Sequence, residues 1–266
     1  MKAFGRDGWR RFAPERRLCA WVDAVRPAAL ATLRAGEFAC WWRNEGTWFV
    51  GVNALPNDSS GAVEGGPGLA GRAVELARRL AADGGAGGSA DGRPVAWDRA
   101  QVSAVLPGFP RQGEDSDAAF AFRTRRDGAH LDGLHPVAGG RYLRELPAFL
   151  LGIALTRADA GASPLVVWEG SHRIMGQMLR KALAGLPPHD WGSVDLSAPY
   201  RAARAHCFRV CRRVPVHLRP GEACVMHRFT LHGISPWQEG ARSAPPGRVI
   251  AYFRPEHCAP QAWLAG

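Results

Sequence analysis

His130-Leu131-Asp132, followed about a hundred residues later by His232, is the group in this chain best suited to chemistry. In extended backbone, side chains two apart point to the same face. His130 and Asp132 are therefore expected to project together from a strand, with Leu131 buried behind them and His232 arriving from a distant strand. Two histidines and a carboxylate occupy one face of an octahedral metal and leave the other open, the ligand pattern of non-heme Fe(II) oxygenases. The open positions take a co-substrate and O2. Arg248, a little beyond His232, suits a co-substrate carboxylate, because its rigid fork makes bidentate, charge-assisted hydrogen bonds.

His-x-Asp recurs by chance, so the neighbouring segments matter. They run Asp127-Gly128-Ala129-His130-Leu131-Asp132-Gly133, then Ser163-Pro164-Leu165-Val166-Val167-Trp168-Glu169-Gly170-Ser171-His172-Arg173, then Arg219-Pro220-Gly221-Glu222. Leu231-His232-Gly233-Ile234-Ser235-Pro236 and Gly247-Arg248-Val249-Ile250-Ala251-Tyr252-Phe253 follow. In that order they resemble the phytanoyl-CoA dioxygenase-like family of Fe(II)/2-oxoglutarate-dependent oxygenases, over roughly residues 100–255. Glu169 stands where that family usually has Pro before Gly-Ser-His. The resemblance implies a mainly β fold with flanking helices, a cupin-like double-stranded β-helix or jelly roll. It implies Fe(II), 2-oxoglutarate and O2, with oxidative decarboxylation to succinate coupled to attack on a substrate C–H bond. Carried over by position, His130, Asp132 and His232 hold the iron and Arg248 holds the far carboxylate of 2-oxoglutarate. In halogenating relatives a small residue replaces the carboxylate ligand; Asp132 implies hydroxylation, desaturation or ring closure instead.

Arg242 also follows His232 at a workable distance, and Ser243-Ala244-Pro245-Pro246 leaves the register open. Arg248 is preferred because residues 249–253 read as a strand, whereas Arg242 sits in a Gly/Pro-rich turn. His227 lies an odd number of positions from His232, so in an unbroken strand the two face opposite ways. His135 reads as a pocket-lip residue and His172 as part of a turn opening a helix, with Ser171 as its cap. The six cysteines read as free thiols, since Cys207 and Cys211 beside His206 and His217 match no standard zinc spacing.

The elements around these residues read as one oxygenase domain over 1–266, with residues 1–100 as flanking helices and a hairpin and 101–255 as the jelly-roll core. Residues 10–33 are expected to be helical with a break at Arg26-Pro27. Residues 38–42 and 47–52 form a hairpin about Asn44-Glu45-Gly46, and 69–82 form a helix carrying Val74, Leu76 and Leu80 inward. Residues 84–92 are a Gly/Ser-rich excursion or lid hinge. From Gln101 the pattern is β, with 118–124 leading into the metal strand, 148–156 and 165–168 as buried strands, 171–186 as a helix, 214–218 as an edge strand, and 224–231 and 248–253 closing the barrel.

The chain's net charge of +10 invites a nucleic-acid reading, but of 34 basic residues only Lys2 and Lys181 are lysines, and the arginine clusters are short. A basic rim would also draw in an acidic small molecule. No apolar run is long enough to span a membrane, and the first ten residues lack an apolar signal core, so a cytoplasmic location is expected. Trp41, Trp42 and Trp48 read either as a packed flank or as an aromatic wall above the iron. A small-molecule substrate with an apolar body, held by these tryptophans and residues 101–106 and carrying an acidic handle, is the favoured reading. A nucleic-acid demethylase of the same superfamily, with Arg248 and Arg254 six apart on the last strand, is the second. A non-catalytic jelly-roll small-molecule binding protein is the third.

Overall fold

The computed structural model describes residues 2–83, 96–113 and 115–265. In chain order they form α1 (Lys2–Asp7), β1 (Trp9–Phe12), α2 (Arg16–Thr32), β2 (Trp42–Arg43), β3 (Trp48–Phe49), α3 (Arg72–Asp83), β4 (Gln101–Val105) and α4 (Asp117–Arg126). Then come β5 (Leu134–Val137), β6 (Gly140–Leu143), β7 (Phe149–Ala154), β8 (Leu165–Trp168), α5 (Ser171–Ala182), α6 (Ser197–Val210), β9 (Arg213–Val216), β10 (Ala223–His227), β11 (His232–Ile234), β12 (Arg248–Phe253) and α7 (Pro260–Ala265). One large sheet has the order β1-β10-β7-β12-β4-β3-β2, a small sheet the order β11-β8-β9, and β5-β6 is a separate hairpin. Every pairing is antiparallel, and the two larger sheets face each other as a jelly roll.

Alternation along the strands sorts their side chains into three apolar layers. On β12, Val249, Ala251 and Phe253 join an outer layer with Leu18, Trp21 and Val25 of α2 and Val74 and Ala77 of α3. Ile250 and Tyr252, between them, face the barrel interior with Leu150, Leu165, Val167, Cys224 and Met226. The small sheet's other face, through Val166 and Trp168, packs on Met175 and Leu179 of α5 and Tyr200 of α6. Each fully buried side chain of this size contributes about 1.5–3 kcal/mol, so the layering holds the barrel closed. The first hundred residues supply both the outer helices and three strands of the large sheet.

Several expectations are corrected. α2 runs unbroken through Pro27. Pro27 and Asp23 are exposed, so the missing N–H opens toward water, while Trp21, Val25 and Ala29 stay buried on either side. Residues 118–124, expected within the β region, are helical in α4, where the Ser116 hydroxyl accepts from the Ala119 N–H and caps the first turn. Residues 36–41 form a 3-10 turn, leaving β2 and β3 as a two-residue remnant of the expected hairpin. Ser171 is not the cap of α5: Gly170 holds that position with φ +80°, and the Ser171 hydroxyl accepts from the Leu231 N–H instead. The edge strand and both barrel-closing strands stand where expected. The expected lid hinge at 84–92 lies outside the described residues. Among the described residues no helix is long and apolar enough to cross a membrane.

Candidate metal centre

His232 opens β11 and pairs with Val167 of β8, an interior-facing residue, so its ring enters the barrel. The bond from the Leu231 N–H to Ser171 (2.9 Å) ties this approach to α5. His130 is not on a strand, contrary to expectation. It sits in a loop that adds one isolated rung to β11: its N–H donates to the His232 carbonyl (2.8 Å) and its carbonyl accepts from the His232 N–H (3.1 Å). The loop is fixed from behind. Asp127, with φ +56° at the end of α4, is gripped by two Arg213 bonds of 2.6 and 2.8 Å, and its carbonyl accepts from the Ile234 N–H. Gly233 must be glycine here, since a Cβ would fall 2.2 Å from the Asp127 oxygen. Leu131 is buried, its N–H donating to the Tyr200 hydroxyl (3.3 Å). The local backbone is therefore extended enough to place His130 and Asp132 together without being part of a strand.

His130 Nε2 and His232 Nε2 lie 3.3 and 3.5 Å from Asp132 Oδ1, and the three potential ligand atoms all fall within 4.8 Å of one another. Among the described residues no other His/Cys/Asp/Glu cluster has this closeness. Both histidines also make a backbone bond through Nδ1, His130 to the Gly128 carbonyl (3.0 Å) and His232 to the Thr230 carbonyl (2.9 Å). A carbonyl only accepts, so Nδ1 carries a proton in each ring and Nε2 is the atom turned toward Asp132; such partners orient metal-binding histidines. Burial pushes His232 down to about 4, against the pull of Asp132. For Asp132, burial acts to raise the carboxyl, but His232, the His130 hydrogen bond and Arg254 hold it well below the usual range. Two imidazoles converging on an ionised carboxylate form a donor set that fits a divalent cation, which would take the place of any proton on Nε2.

Arg248 opens β12 on the face it shares with Ile250 and Tyr252. It is 5 % exposed, and Nε, Nη1 and Nη2 have no hydrogen-bond partner among the described residues. Burial lowers its pKa, partly offset by the Tyr252 hydroxyl nearby. A buried, unpaired guanidinium is costly, and the barrel interior it faces is where His232 also points. Arg242 is exposed and its backbone N–H donates to Asp159 Oδ2, as expected for a turn residue. His227 pairs with Phe149 of the outer layer, so it faces away from the barrel interior. His135 is exposed beside Glu145.

A cavity of about 180 Å³ lies over the His-Asp-His group, lined on its apolar side by Trp48, Val50, Val52, Leu165 and Ile234, and by Gln101, Ser103 and Tyr252. Trp48 reaches it, its Nε1–H 3.4 Å from the Ser103 hydroxyl, with Arg123 over the indole. Trp41 and Trp42 do not line this cavity; Trp42 packs on Phe49. Sequence reading missed the place of Arg254, which lies 3.3 Å from Asp132 Oδ2, and of Tyr252, although both share the two-residue repeat of Arg248 along the last strand. All six cysteines are free.

No family model matches the chain, and no curated protein matches it. Among solved structures, the chain is similar to the non-heme alpha ketoglutarate dependent carbocyclase SnoK from nogalamycin biosynthesis, at 16 % identity over 95 % of this chain and 82 % of that one, with a TM-score of 0.48. It is similar to the epimerase SnoN in complex with Fe3+, alpha ketoglutarate and nogalamycin RO, at 17 % identity over 96 % and 81 %, TM-score 0.46. It is also similar to EctD from S. alaskensis with 2-oxoglutarate and 5-hydroxyectoine, at 15 % identity over 96 % and 74 %, TM-score 0.44. At these values the reading of the site rests on its own side chains.

Proposed function

We propose that this chain is an Fe(II)- and 2-oxoglutarate-dependent oxygenase, with His130, Asp132 and His232 as the metal ligands and Arg248 as the anchor of the co-substrate's far carboxylate. The observation that carries the reading is the pairing, inside one barrel, of a His-Asp-His donor set with a buried guanidinium that has no acceptor among the described residues. The iron would supply the activation of O2, with 2-oxoglutarate and O2 consumed, succinate and CO2 released, and the second oxygen atom delivered to the substrate in a hydroxylation or released as water with two substrate hydrogens in a desaturation or cyclisation.

The chain's own residues hold the geometry. Gly128 and Thr230 carbonyls fix the imidazole tautomers. Arg254 and the two histidines keep Asp132 ionised. Arg248 offers two parallel N–H donors to one carboxylate end, which orients the keto-acid end toward the ligand set. Trp48, Val50, Val52, Leu165 and Ile234 exclude water and favour an apolar substrate body, while Arg43, in the groove that continues past Trp48, suits an acidic handle; Arg123 in that groove is already paired with Asp115 (3.0 Å). The substrate is a small molecule, oxidised by hydroxylation or a related desaturation or cyclisation, and the 266 residues act as one unit.

The test is succinate release from 2-oxoglutarate by purified protein with Fe(II) and O2. A slow basal release that disappears in Asp132→Ala supports the proposal. A protein that binds one divalent metal yet neither binds nor decarboxylates 2-oxoglutarate would be a binding protein instead. A demethylase would need a strand-gripping basic surface, and the groove flanking the cavity sets Asp98, Glu145 and Glu256 against Arg99 and Arg254, so it is not a basic one.

A further inference from the structure

Of the Gly170-Ser171-His172-Arg173 motif, only Ser171 serves the metal centre, through its bond to the Leu231 N–H. His172 and Arg173 instead line a second cavity of about 410 Å³, between α1, α5, α7 and the end of β10, that shares no residue with the first. This size is typical of a small-molecule site. Its floor is apolar, with Phe4 and Phe229 facing it. Its polar wall carries three guanidiniums, Arg173, Arg180 and Arg228, and among the described residues no carboxylate lines it.

The cationic wall is fixed in place. Arg228 is 6 % exposed and its three nitrogens donate to the carbonyls of Trp263, Ala148 and Ala262. Arg173 and Arg180 each lend one N–H to a backbone carbonyl, of Gly5 (3.0 Å) and Leu264 (3.3 Å). Their spacing of seven places both on one side of α5. Gly176, between them, keeps the wall open: a Cβ there would lie 3.0 Å from Arg180 Nη1 and 2.9 Å from Phe229. No ion pair engages any of the three among the described residues; the nearest carboxylate influence on them is that of Asp7, whose pKa Arg173 helps to lower. His227 adds a donor. Its Nδ1 accepts from the Phe229 N–H (3.1 Å), so the proton sits on Nε2, which has no partner among the described residues.

We propose that this cavity is a second binding site, for a small organic anion whose carboxylate or phosphate meets the arginine wall and whose compact apolar body rests on Phe4 and Phe229. Arginine forks match both anions, and the free N–H groups of Arg173 and Arg180 would meet no negative charge on a neutral ligand. The site is independent of the metal centre, so the proposal stands or falls apart from the oxygenase reading.

Calorimetric titration of the full chain at low salt tests it, with phenyl phosphate, benzoate and neutral benzamide as probes. One phenyl phosphate or benzoate is expected to bind per chain, with benzamide at least tenfold weaker; the tighter of the two anions identifies the head group. The exposed pair Arg173→Gln/Arg180→Gln should weaken the anion at least tenfold, and Arg248→Met should leave it unchanged. The proposal is overturned if neither anion binds at millimolar concentration, if benzamide matches benzoate, or if Arg248→Met abolishes binding while the double variant keeps it.

Discussion

Replacing Arg248 with Met should move stability and co-substrate binding in opposite directions. The guanidinium is buried with three nitrogens lacking partners among the described residues. An unsatisfied buried polar group costs about 1–3 kcal/mol, and an unbranched apolar side chain of similar reach removes that cost. The ligand-free variant should therefore be more stable than the parent. For a chain of this size each kcal/mol corresponds to about 2–4 °C in Tm, so a rise of several degrees is expected. Binding changes the other way. Deleting one partner of a buried charged pair costs about 3–5 kcal/mol, which raises the Kd for 2-oxoglutarate by about two to three and a half powers of ten. Arg248→Lys keeps the charge but loses the fork, and should fall between the two in affinity without gaining stability. The assay is thermal melting with and without 2-oxoglutarate, in the presence of a redox-inert divalent metal, together with calorimetric titration. A lower ligand-free Tm in Arg248→Met, or a Kd within threefold of the parent, would refute the argument that this guanidinium waits for a carboxylate.

Other outcomes follow from the same geometry. His232→Ala should abolish stoichiometric metal binding, measured by metal analysis after desalting, whereas His227→Ala should retain it because its ring faces the outer layer; the reverse would overturn the ligand assignment. Arg242→Ala should leave 2-oxoglutarate affinity unchanged, because that side chain is exposed; a large loss would place the anchor in the wrong register. Burial pushes His227 down to about 3, below its unfolded value near 6.5. Its stabilising neutral state is fully present above pH 6.5, and stability is lost as pH falls from there toward 3, because the unfolded chain takes up the proton first. Urea midpoints between pH 7 and 4 should fall less steeply in His227→Gln, and identical slopes would show that this ring does not titrate with unfolding. Trp48→Ala should open the cavity and raise the KM for an apolar substrate more than it lowers succinate release without substrate; an unchanged KM would remove Trp48 from the substrate wall.

The strands of the barrel were legible because burial on both faces leaves near-continuous apolar runs, as in 149–154 and 165–168. His232 and Arg248 were legible because each opens a short strand between Gly/Pro punctuation. The His130 loop was misread as a strand because spacing alone does not separate a strand from one extended rung. What holds that loop, the Arg213 grip on Asp127, joins residues 86 apart, and no local pattern announces it. α2 was misread at Pro27 because local propensity counts the lost hydrogen bond, whereas the buried faces of Trp21, Val25 and Ala29 decide the outcome. The same holds for Ser171, whose hydroxyl serves a strand 60 residues later rather than its own helix.

The single rung between His130 and His232 has a kinetic meaning. Two of the three donor side chains sit on a loop joined to β11 by the reciprocal His130–His232 pair and the bond from the Ile234 N–H to the Asp127 carbonyl, and the third sits on β11 itself. A cation held by all three would staple across that rung. Its residence time would then be set by how often the loop peels from the strand edge, because no donor set survives the parting. Exchange of the His130 and His232 amide protons with solvent would report the same opening, slow in the loaded protein and fast in the bare one.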